Sequence, residues 1–388
     1  MFKKFIGIDV SKSSFNYCVI DSQQHTVEKG DCEMNVEGFQ MFKEVVKRND
    51  NAVIALESTG SYHVNILSFI TSFKKEVCLI NPVLIKKFIQ TISLRKTKTD
   101  EIDANLIAKF IFFHHAQSNY FTPSNMDEIV ALARVREDIS KEVAKMKTRL
   151  KQDLNTTFPE LSANYNIFTD TILNLIENFP TIESIRNAKI TKIKGIMKNK
   201  RGRNSSFDAH DIKELARNSV SKNNGIYGEI IRHDATTLKF LLEELDKITT
   251  RFIKEIKEKK EQDMEILTSV KGISDVTAAH FIAEIKDISR FDNRNKLIAF
   301  AGTDPAVKQS GTSLHKNGRI TKKGSKALRR VIYLMAMGVM KYTDHFRIYY
   351  DKKRAEGMQH RKAMIALCNK LLRVLYALLS KKEVYVMK

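Results

Sequence analysis

The sequence predicts an α/β domain at the N-terminus followed by a mostly helical remainder. Residues 1 to about 120 alternate short apolar runs with segments of helical spacing, which is the pattern of an α/β domain. From residue 127 onward, long segments rich in Lys, Arg and Glu carry apolar residues at helical spacing. We place the boundaries at residues 120 and 262, which gives an α/β domain (1–120), a helical linking and dimerisation region (121–262) and a C-terminal domain (263–388).

The charge of the chain predicts a nucleic-acid partner. The 388 residues contain 66 Lys and Arg against 45 Asp and Glu, a formal net charge of +21. Residues 301–388 hold 20 of these basic residues and only 5 acidic ones. A polyanion is the expected partner of such a surface, and basic residues that serve only solubility are the alternative.

The remaining composition predicts a soluble cytoplasmic protein without a membrane partner. No apolar run approaches the roughly 20 residues that a membrane span needs, and the N-terminus shows no signal-peptide cleavage site. The four cysteines are scattered without a CxxC pair, which argues against a structural zinc site and a disulfide framework.

Two apolar strands are each predicted to end in a carboxylate. Phe5–Val10 is an apolar run that contains Asp9, and Asn51–Glu57 is a second run that ends in Glu57. Aspartate is a poor strand former and is costly to bury without a cation or hydrogen-bond donors. Each carboxylate is therefore a candidate metal ligand, and a cap of the following turn is the alternative.

A third acidic motif follows at the predicted start of a helix. Asp100 and Asp103 lie three residues apart, so both face the same side of that helix. Taken alone, acidic residues at a helix N-terminus are also ordinary caps. Together with Asp9 and Glu57 they make four hard oxygen ligands, a set suited to two Mg²⁺ ions about 4 Å apart and to phosphoryl transfer.

The middle of the chain is predicted to be helical. Asp127–Phe158 is one long helical pattern, and Leu238–Phe252 carries apolar residues at alternating spacings of three and four. This second pattern fits a short coiled coil or plain packing inside a helical bundle. Residues 194–204 are strongly basic and form either a solvated linker or a loop that contacts nucleic acid.

The C-terminal region contains two further candidate elements. A turn through Lys271 and Gly272 is similar to a helix-hairpin-helix, whose backbone amides approach a DNA phosphate, although any helical hairpin can turn through glycine. Ser310-Gly311 is predicted in a mobile polar loop, followed by a run that supplies Lys and Arg to hold phosphates. Serine is a weak nucleophile without a base, so the residue types alone leave Ser310 as ordinary loop chemistry.

The motifs as a set resemble one known family. Gly-Ile-Asp9-Val-Ser-Lys12, Leu-Glu57-Ser-Thr-Gly60 and Lys-Thr-Asp100-Glu-Ile-Asp103 look like the RuvC-like, ribonuclease-H-type N-terminal domain of the DEDD transposases of bacterial insertion sequences. The segments around Gly302, Gln309-Ser310-Gly311 and Lys323-Gly324 look like the C-terminal block of the same family. These transposases are relatives of the Piv-type DNA invertases and are described as bridge-RNA-guided recombinases.

The resemblance implies a mechanism and a set of partners. Ser310 would attack DNA and become covalently attached, with Ser313 as the fallback, while two Mg²⁺ ions are held by the four acidic residues. The partners would be donor and target DNA, a bridge RNA and further copies of the chain, as a dimer or a synaptic tetramer in the bacterial cytoplasm. The predicted nucleic-acid-binding residues are Lys12, Lys96, Lys98, Lys271, Gly272, Lys308, Arg319, Lys322, Lys323, Lys326, Arg329 and Arg330.

Two other functions fit parts of the sequence. A RuvC-like, Mg²⁺-dependent, structure-specific endonuclease would use water as nucleophile and would leave Ser310 without a role in catalysis. A nucleic-acid-binding protein with a decayed site would bind in a salt-sensitive way and would not cleave.

Overall fold

The computed structural model describes residues 4–58, 62–73, 75, 77–92, 100–115, 120–121, 126–196, 208–221, 225–310 and 313–386. Its internal contacts divide the chain into two compact units, residues 1–124 and 125–388. The three-part division with boundaries at 120 and 262 stays a prediction.

The first unit is built on a mixed β-sheet. Its described strands are β1 (Lys4–Val10), β2 (Ser14–Asp21), β3 (Thr26–Glu33), β4 (Ala52–Glu57), β5 (Val77–Ile80) and β6 (Tyr120–Phe121). They lie in the order β3-β2-β1-β4-β5-β6. β1 is antiparallel to β2 and parallel to β4, and β4 is parallel to β5. The order β3-β2-β1-β4-β5 with these directions is the topology of the ribonuclease-H fold, so the predicted fold class is confirmed.

Helices cover both faces of this sheet. The helices of the first unit are α1 (Val36–Arg48), α2 (His63–Ser72), α3 (Pro82–Ile92) and α4 (Asp100–His114). α1 and α2 bury apolar side chains against one face, and α3 and α4 pack on the other. Asn35 caps α1, because its side-chain oxygen accepts a hydrogen bond from the Gly38 amide at 2.8 Å.

The second unit is mostly helical in its described part. Its elements are α5 (Asp127–Thr157), α6 (Pro159–Asn164), α7 (Asp170–Asn178), α8 (Ile182–Asn187), α9 (Ile190–Ile196), α10 (Ala209–Arg217), α11 (Gly225–Thr268), α12 (Asp275–Ile285), a 3₁₀ turn (Ile288–Arg290), α13 (Arg294–Ala301), β7 (Pro305–Ser310), β8 (Ser313–Ile320), α14 (Lys326–Tyr342), α15 (Asp344–Ala355) and α16 (His360–Lys381). The long helix predicted from Asp127 is thus confirmed as α5.

α5 and α11 form an antiparallel pair that joins two apolar cores. Arg136 donates to the Thr249 hydroxyl at 2.8 Å, whereas Arg149 lies 2.9 Å from the Asp234 carboxylate near the other end of the pair. One core contains α6 to α10 and the other contains α12 to α16. The apolar stripe of Leu238–Phe252 contributes to both cores, and a coiled coil in this segment stays a prediction.

α16 is a core helix of the second unit. By length and composition it is the one helix among the described residues that could cross a membrane. Leu367, Leu371 and Leu375 are fully buried in the C-terminal core, however, so packing inside the protein accounts for its apolar side chains.

Two strand regions differ from the sequence-based expectation. Ser310 is predicted in a mobile loop, but in the structure it ends β7, which pairs antiparallel with β8. The segment Thr26–Glu33 has no predicted element, yet it forms β3. Most of its side chains are exposed or half-buried, and it shows no apolar run because its neighbour β2 supplies the buried contacts.

Candidate active site and nucleic-acid interface

The two strand carboxylates lie side by side at one edge of the sheet. β1 and β4 are parallel, and the register pairs Ile8 with Leu56. Asp9 and Glu57 are the next residue on each strand. Their backbones therefore lie about 4.8 Å apart, at the carboxyl ends of two adjacent strands. Both residues are half-buried. The acidic residues at the ends of β1 and β4 therefore lie at the same edge of the sheet.

α4 packs its backbone directly on β1. A Cβ atom built on Gly7 would lie 2.2 Å from the Ala104 carbonyl oxygen and 2.3 Å from the Ala108 amide nitrogen. Phe5, on the same face of the strand, contacts Phe112 near the other end of the helix, with ring centroids 5.2 Å apart. The helix therefore runs antiparallel to β1, and only glycine permits this approach.

This direction brings the first turn of α4 towards Asp9. Asp9 lies two residues beyond Gly7 and thus projects from the same face of the strand. Asp103 directly precedes Ala104 and is half-buried, while Asp100 is the first residue of the helix. Asn105 fixes the rotation of the helix, because its amide donates to Cys18 and to Thr26, both at 3.2 Å. The backbone thus places the four acidic positions at one edge of the sheet.

The chemistry of these residues suits a hard divalent cation, but the described side chains do not form a closed ligand set. Carboxylate oxygens are the ligands that Mg²⁺ prefers in proteins. In the described part of the chain, no three His, Cys, Asp or Glu side chains come close enough together to hold an ion. The side chain of Asp100 lies outside the described residues.

The structure describes only some of the basic residues that are predicted next to the acidic motifs. Lys12 is exposed in the turn between β1 and β2, where the Ser11 hydroxyl donates to the Ser14 carbonyl at 2.7 Å. Lys96 and Lys98 lie outside the described residues. The basic segment at 194–204 is described only as far as residue 196, within α9.

Ser310 lies at the end of a β-hairpin in the second unit. The register pairs Pro305 with Ile320 at the base and Ser310 with Ser313 at the tip. Both serines considered as nucleophiles therefore occupy the last pair before the turn. The side chains of residues 306–319, including Lys308 and Arg319, lie outside the described residues.

The base of this hairpin is anchored to the helical core. Gly302 ends α13 in the left-handed conformation (φ 65°), and its carbonyl accepts from the Lys322 amide at 3.2 Å. The Thr321 hydroxyl donates to Asp304 at 2.6 Å. Thr303, which is only 1% exposed, exchanges two hydrogen bonds with Asn369 of α16. Sequence reasoning missed Asn369, because it lies 66 residues away inside an apolar helical pattern.

The basic run after the hairpin contains two kinds of residue. Lys322, Lys323 and Lys326 are all exposed and are available to a polyanion. Arg329 donates to the Ala301 carbonyl at 2.9 Å, and Arg330 pairs with Glu137 of α5. Both arginines thus hold the second unit together, and a role in nucleic-acid binding stays a prediction.

The turn predicted to contact DNA is packed on another helix. Gly272 has a φ of 104°, and a Cβ atom on it would lie 2.5 Å from the carbonyl oxygen of Gly338 in α14. The Thr343 hydroxyl donates to the Lys271 carbonyl at 2.7 Å. Close packing is therefore one reason for this glycine, while the Lys271 side chain is exposed and its DNA contact stays a prediction.

A buried histidine lies where α5, α11 and α12 meet. His280 is 7% exposed, its Nε2 lies 3.2 Å from Arg136, and its ring centroid lies 4.7 Å from that of Phe252. Burial is the main cause that lowers the pKa of His280 to about 4, and the positive charge of Arg136 acts in the same direction. The ring is therefore neutral at pH 7, so it can accept the hydrogen bond from Arg136.

Comparisons with known proteins match both halves of the chain. A family model described as a transposase of the DEDD IS110 type matches residues 6–159, and a model described as the transposase IS116/IS110/IS902 family matches residues 264–351. The pilin gene-inverting protein of Moraxella bovis is 24% identical over 98% of this chain and 96% of its own length. A protein of insertion element IS110 from Streptomyces coelicolor is 25% identical over 77% of this chain and 74% of its own length.

Solved structures of RuvC from Thermus thermophilus also match. RuvC in complex with a Holliday junction substrate is 12% identical, with a TM-score of 0.24, and covers 31% of this chain and 99% of the RuvC chain.

Proposed function

This chain belongs to the IS116/IS110/IS902 family of transposases, and on that premise we propose that it cuts and rejoins DNA through a covalent bond to Ser310. The observation that carries the proposal is the antiparallel packing of α4 on β1, which gathers four acidic positions at one edge of the first unit. Such a set fits phosphoryl transfer, and the family assigns that chemistry to DNA.

The acidic residues would act on the scissile phosphate. Mg²⁺ ions held by Asp9, Glu57, Asp100 and Asp103 would supply Lewis-acid stabilisation of the charge that develops on the phosphate oxygens. The ladder between β1 and β4 fixes the backbone at Asp9 and Glu57, and the contact of α4 with Gly7 fixes the backbone of the helix on which Asp100 and Asp103 lie. The protein would thus fix the positions of its ligands before DNA binds.

Ser310 would act as the nucleophile. Its oxygen attacks phosphorus, the phosphodiester bond to the departing strand breaks, and the serine proton is lost while the released strand end gains one. The product is a phosphoserine ester and a free hydroxyl. Because one phosphate ester replaces another, the bond energy is kept and rejoining needs no nucleotide cofactor. The position of Ser310 at the tip of the hairpin supports this role, because it leaves the residue away from the helical core.

Donor and target DNA are the proposed substrates, and the lysines after the hairpin would hold their phosphates. Lys322, Lys323 and Lys326 follow the base of the hairpin directly, so phosphate contacts there would hold DNA beside the hairpin that carries Ser310 at its tip. We propose further that a bridge RNA chooses the sites by base pairing, which leaves the protein to contact backbone. Joining two duplexes requires at least two copies of the chain.

A structure-specific endonuclease that uses water is the second candidate, because the acidic set lies wholly within the first unit and needs no serine. The test is a cleavage reaction with purified protein, its flanking non-coding RNA, Mg²⁺ and labelled donor and target DNA, resolved under denaturing conditions. We expect label on the protein for the wild type and for Ser313→Ala, and none for Ser310→Ala or Asp9→Ala.

The same reaction separates the alternatives. Cut DNA without label on protein, retained in Ser310→Ala and lost in Asp9→Ala, would establish the water mechanism. DNA binding without cleavage, in the wild type and in every variant, would indicate a nucleic-acid-binding protein without catalytic activity. Omission of the RNA should abolish cleavage if the RNA chooses the sites, whereas unchanged cleavage would rule out that role.

A further inference from the structure

One amide side chain makes two hydrogen bonds to the base of the hairpin that carries Ser310. The Thr303 hydroxyl lies 2.6 Å from Asn369 Oδ1, and Asn369 Nδ2 lies 3.2 Å from the Thr303 carbonyl oxygen. A carbonyl oxygen can only accept, so Nδ2 must donate to it, and the hydroxyl then donates to Oδ1. Asn369 thus uses both ends of its amide on one residue.

The direction of the hairpin depends on the contacts at its base. In the described part of the chain β7 and β8 pair only with each other, and a two-stranded ribbon has little stability of its own. Backbone hydrogen bonds at the base come from Thr303, Thr321 and Lys322. Asn369, in contrast, lies on α16 beside Cys368 and Leu371, which are fully buried, so its backbone is fixed by the core.

The distance from the base to the tip makes this anchor important. Ser310 lies seven residues beyond Thr303, and an extended strand rises about 3.4 Å per residue, which gives roughly 24 Å. A tilt of about 5° at the base would therefore move Ser310 by about 2 Å over that length. A displacement of about 1 Å at a reacting group can slow a reaction about 100-fold.

We propose that Asn369 is a positioning residue for the reaction of Ser310, acting through its two hydrogen bonds to Thr303. The inference rests on the proposed function, since it concerns the rate at which Ser310 reaches the phosphate. Asn369 lies beyond residue 351, where the match to the second family model ends. It touches neither DNA nor the acidic residues in the proposed mechanism, so its substitution should slow the reaction without weakening DNA binding.

The test compares two substitutions that each remove one hydrogen bond to α16. Thr303→Val keeps the shape of the side chain and deletes the hydroxyl. Tyr376→Phe is the matched control, because the Tyr376 hydroxyl joins α16 to the Phe291 carbonyl at 3.0 Å, beside the 3₁₀ turn instead of the hairpin. For each variant we would measure the unfolding midpoint, the DNA affinity and the single-turnover rate of protein–DNA adduct formation at saturating DNA.

We expect Thr303→Val to form the adduct about 10-fold or more slowly than the wild type, with unchanged DNA affinity, and Tyr376→Phe to stay within about twofold. Thr303→Ser, which retains the hydroxyl, should restore the rate. Asn369→Asp, which keeps the acceptor and removes the donor, should be intermediate and serves if Thr303→Val does not fold. Equal rates for Thr303→Val and Tyr376→Phe, or a slower rate matched by weaker DNA binding, would overturn the inference.

The outcome is separate from that of the proposed function. A wild-type protein that forms no adduct, or a Ser310→Ala variant that still forms one, refutes the serine mechanism and the inference with it. A wild-type adduct that depends on Ser310, together with a normal rate for Thr303→Val, refutes the inference alone.

Discussion

Replacing Gly7 by alanine should disturb both the packing of the first unit and its chemistry. The added Cβ would lie 2.2 Å from the Ala104 carbonyl oxygen, where ordinary contact begins at 3.4 Å, and 2.3 Å from the Ala108 amide nitrogen. Both atoms belong to the backbone of α4, so no side chain can turn away and the helix itself must move. Overpacking of this kind costs about 1–3 kcal/mol in the free energy of unfolding.

The same movement displaces Asp100 and Asp103 from Asp9 and Glu57. Because a misplacement of about 1 Å can cost about 100-fold in rate, we expect Gly7→Ala to cleave DNA about 100-fold more slowly than the wild type. The assay is single-turnover cleavage at a temperature where the variant is folded, together with urea unfolding followed by circular dichroism.

Gly38→Ala is the matched control for this variant. A Cβ atom there would lie 2.1 Å from the Glu33 carbonyl oxygen, an equally close backbone contact in the same unit, but on α1, which packs on the face of the sheet opposite α4. It should be destabilised to a similar extent and cleave within a few fold of the wild type. Equal cleavage by Gly7→Ala and Gly38→Ala, or wild-type stability of Gly7→Ala, would refute the placement of α4.

Three further predictions concern the second unit. The pKa of His280 is about 4 in the folded protein and 6.5 ordinarily, so the unfolded state binds the extra proton first as pH falls. The free energy of unfolding should therefore drop by up to about 3 kcal/mol between pH 6.5 and 4. Urea unfolding at about pH 7 and pH 4.5 should show a smaller drop for His280→Gln than for the wild type. Gly338→Ala should lower the thermal unfolding midpoint, because its Cβ would lie 2.1 Å from the Gly272 carbonyl oxygen. Gly195→Ala, whose Cβ would have no atom within 4 Å, should raise the midpoint or leave it unchanged. Replacing Lys322 and Lys323 by alanine should reduce the slope of log affinity for DNA against log salt by about 1 for each phosphate that is no longer neutralised, measured by titration; an unchanged slope would remove them from the interface.

Much of the first unit could be predicted from its sequence because its buried strands correspond to local apolar runs in the chain. β1 and β4 are apolar runs that each carry one acid at the end, and those acids lie at the same sheet edge as expected for parallel neighbours. The start of α4 at Asp100 also follows from the local pattern. β3 was missed because its residues are mostly polar and it is held by pairing with β2, a contact that no local pattern reveals.

The second unit was less predictable because its important contacts join residues far apart in the chain. The bonds between Thr303 and Asn369 span 66 residues, and the approach of Gly272 to Gly338 depends on how two helices pack. The sequence could point to Ser310 only through the family motif, since its hairpin has no apolar alternation strong enough to predict two strands. Arg329 and Arg330 were predicted as phosphate ligands from charge alone, and their contacts with Ala301 and Glu137 required the structure.

The most direct test of the serine mechanism identifies the residue that carries the DNA. Wild-type protein would react with labelled donor and target DNA in the presence of Mg²⁺ and its RNA, and the adduct would be digested with nuclease and trypsin. Cleavage after Lys308 and Lys316 releases the peptide 309–316, which contains both Ser310 and Ser313, and fragmentation in the mass spectrometer separates the two. We predict a nucleotide on Ser310. A nucleotide on Ser313, or cleaved DNA with no modified peptide, would contradict the mechanism.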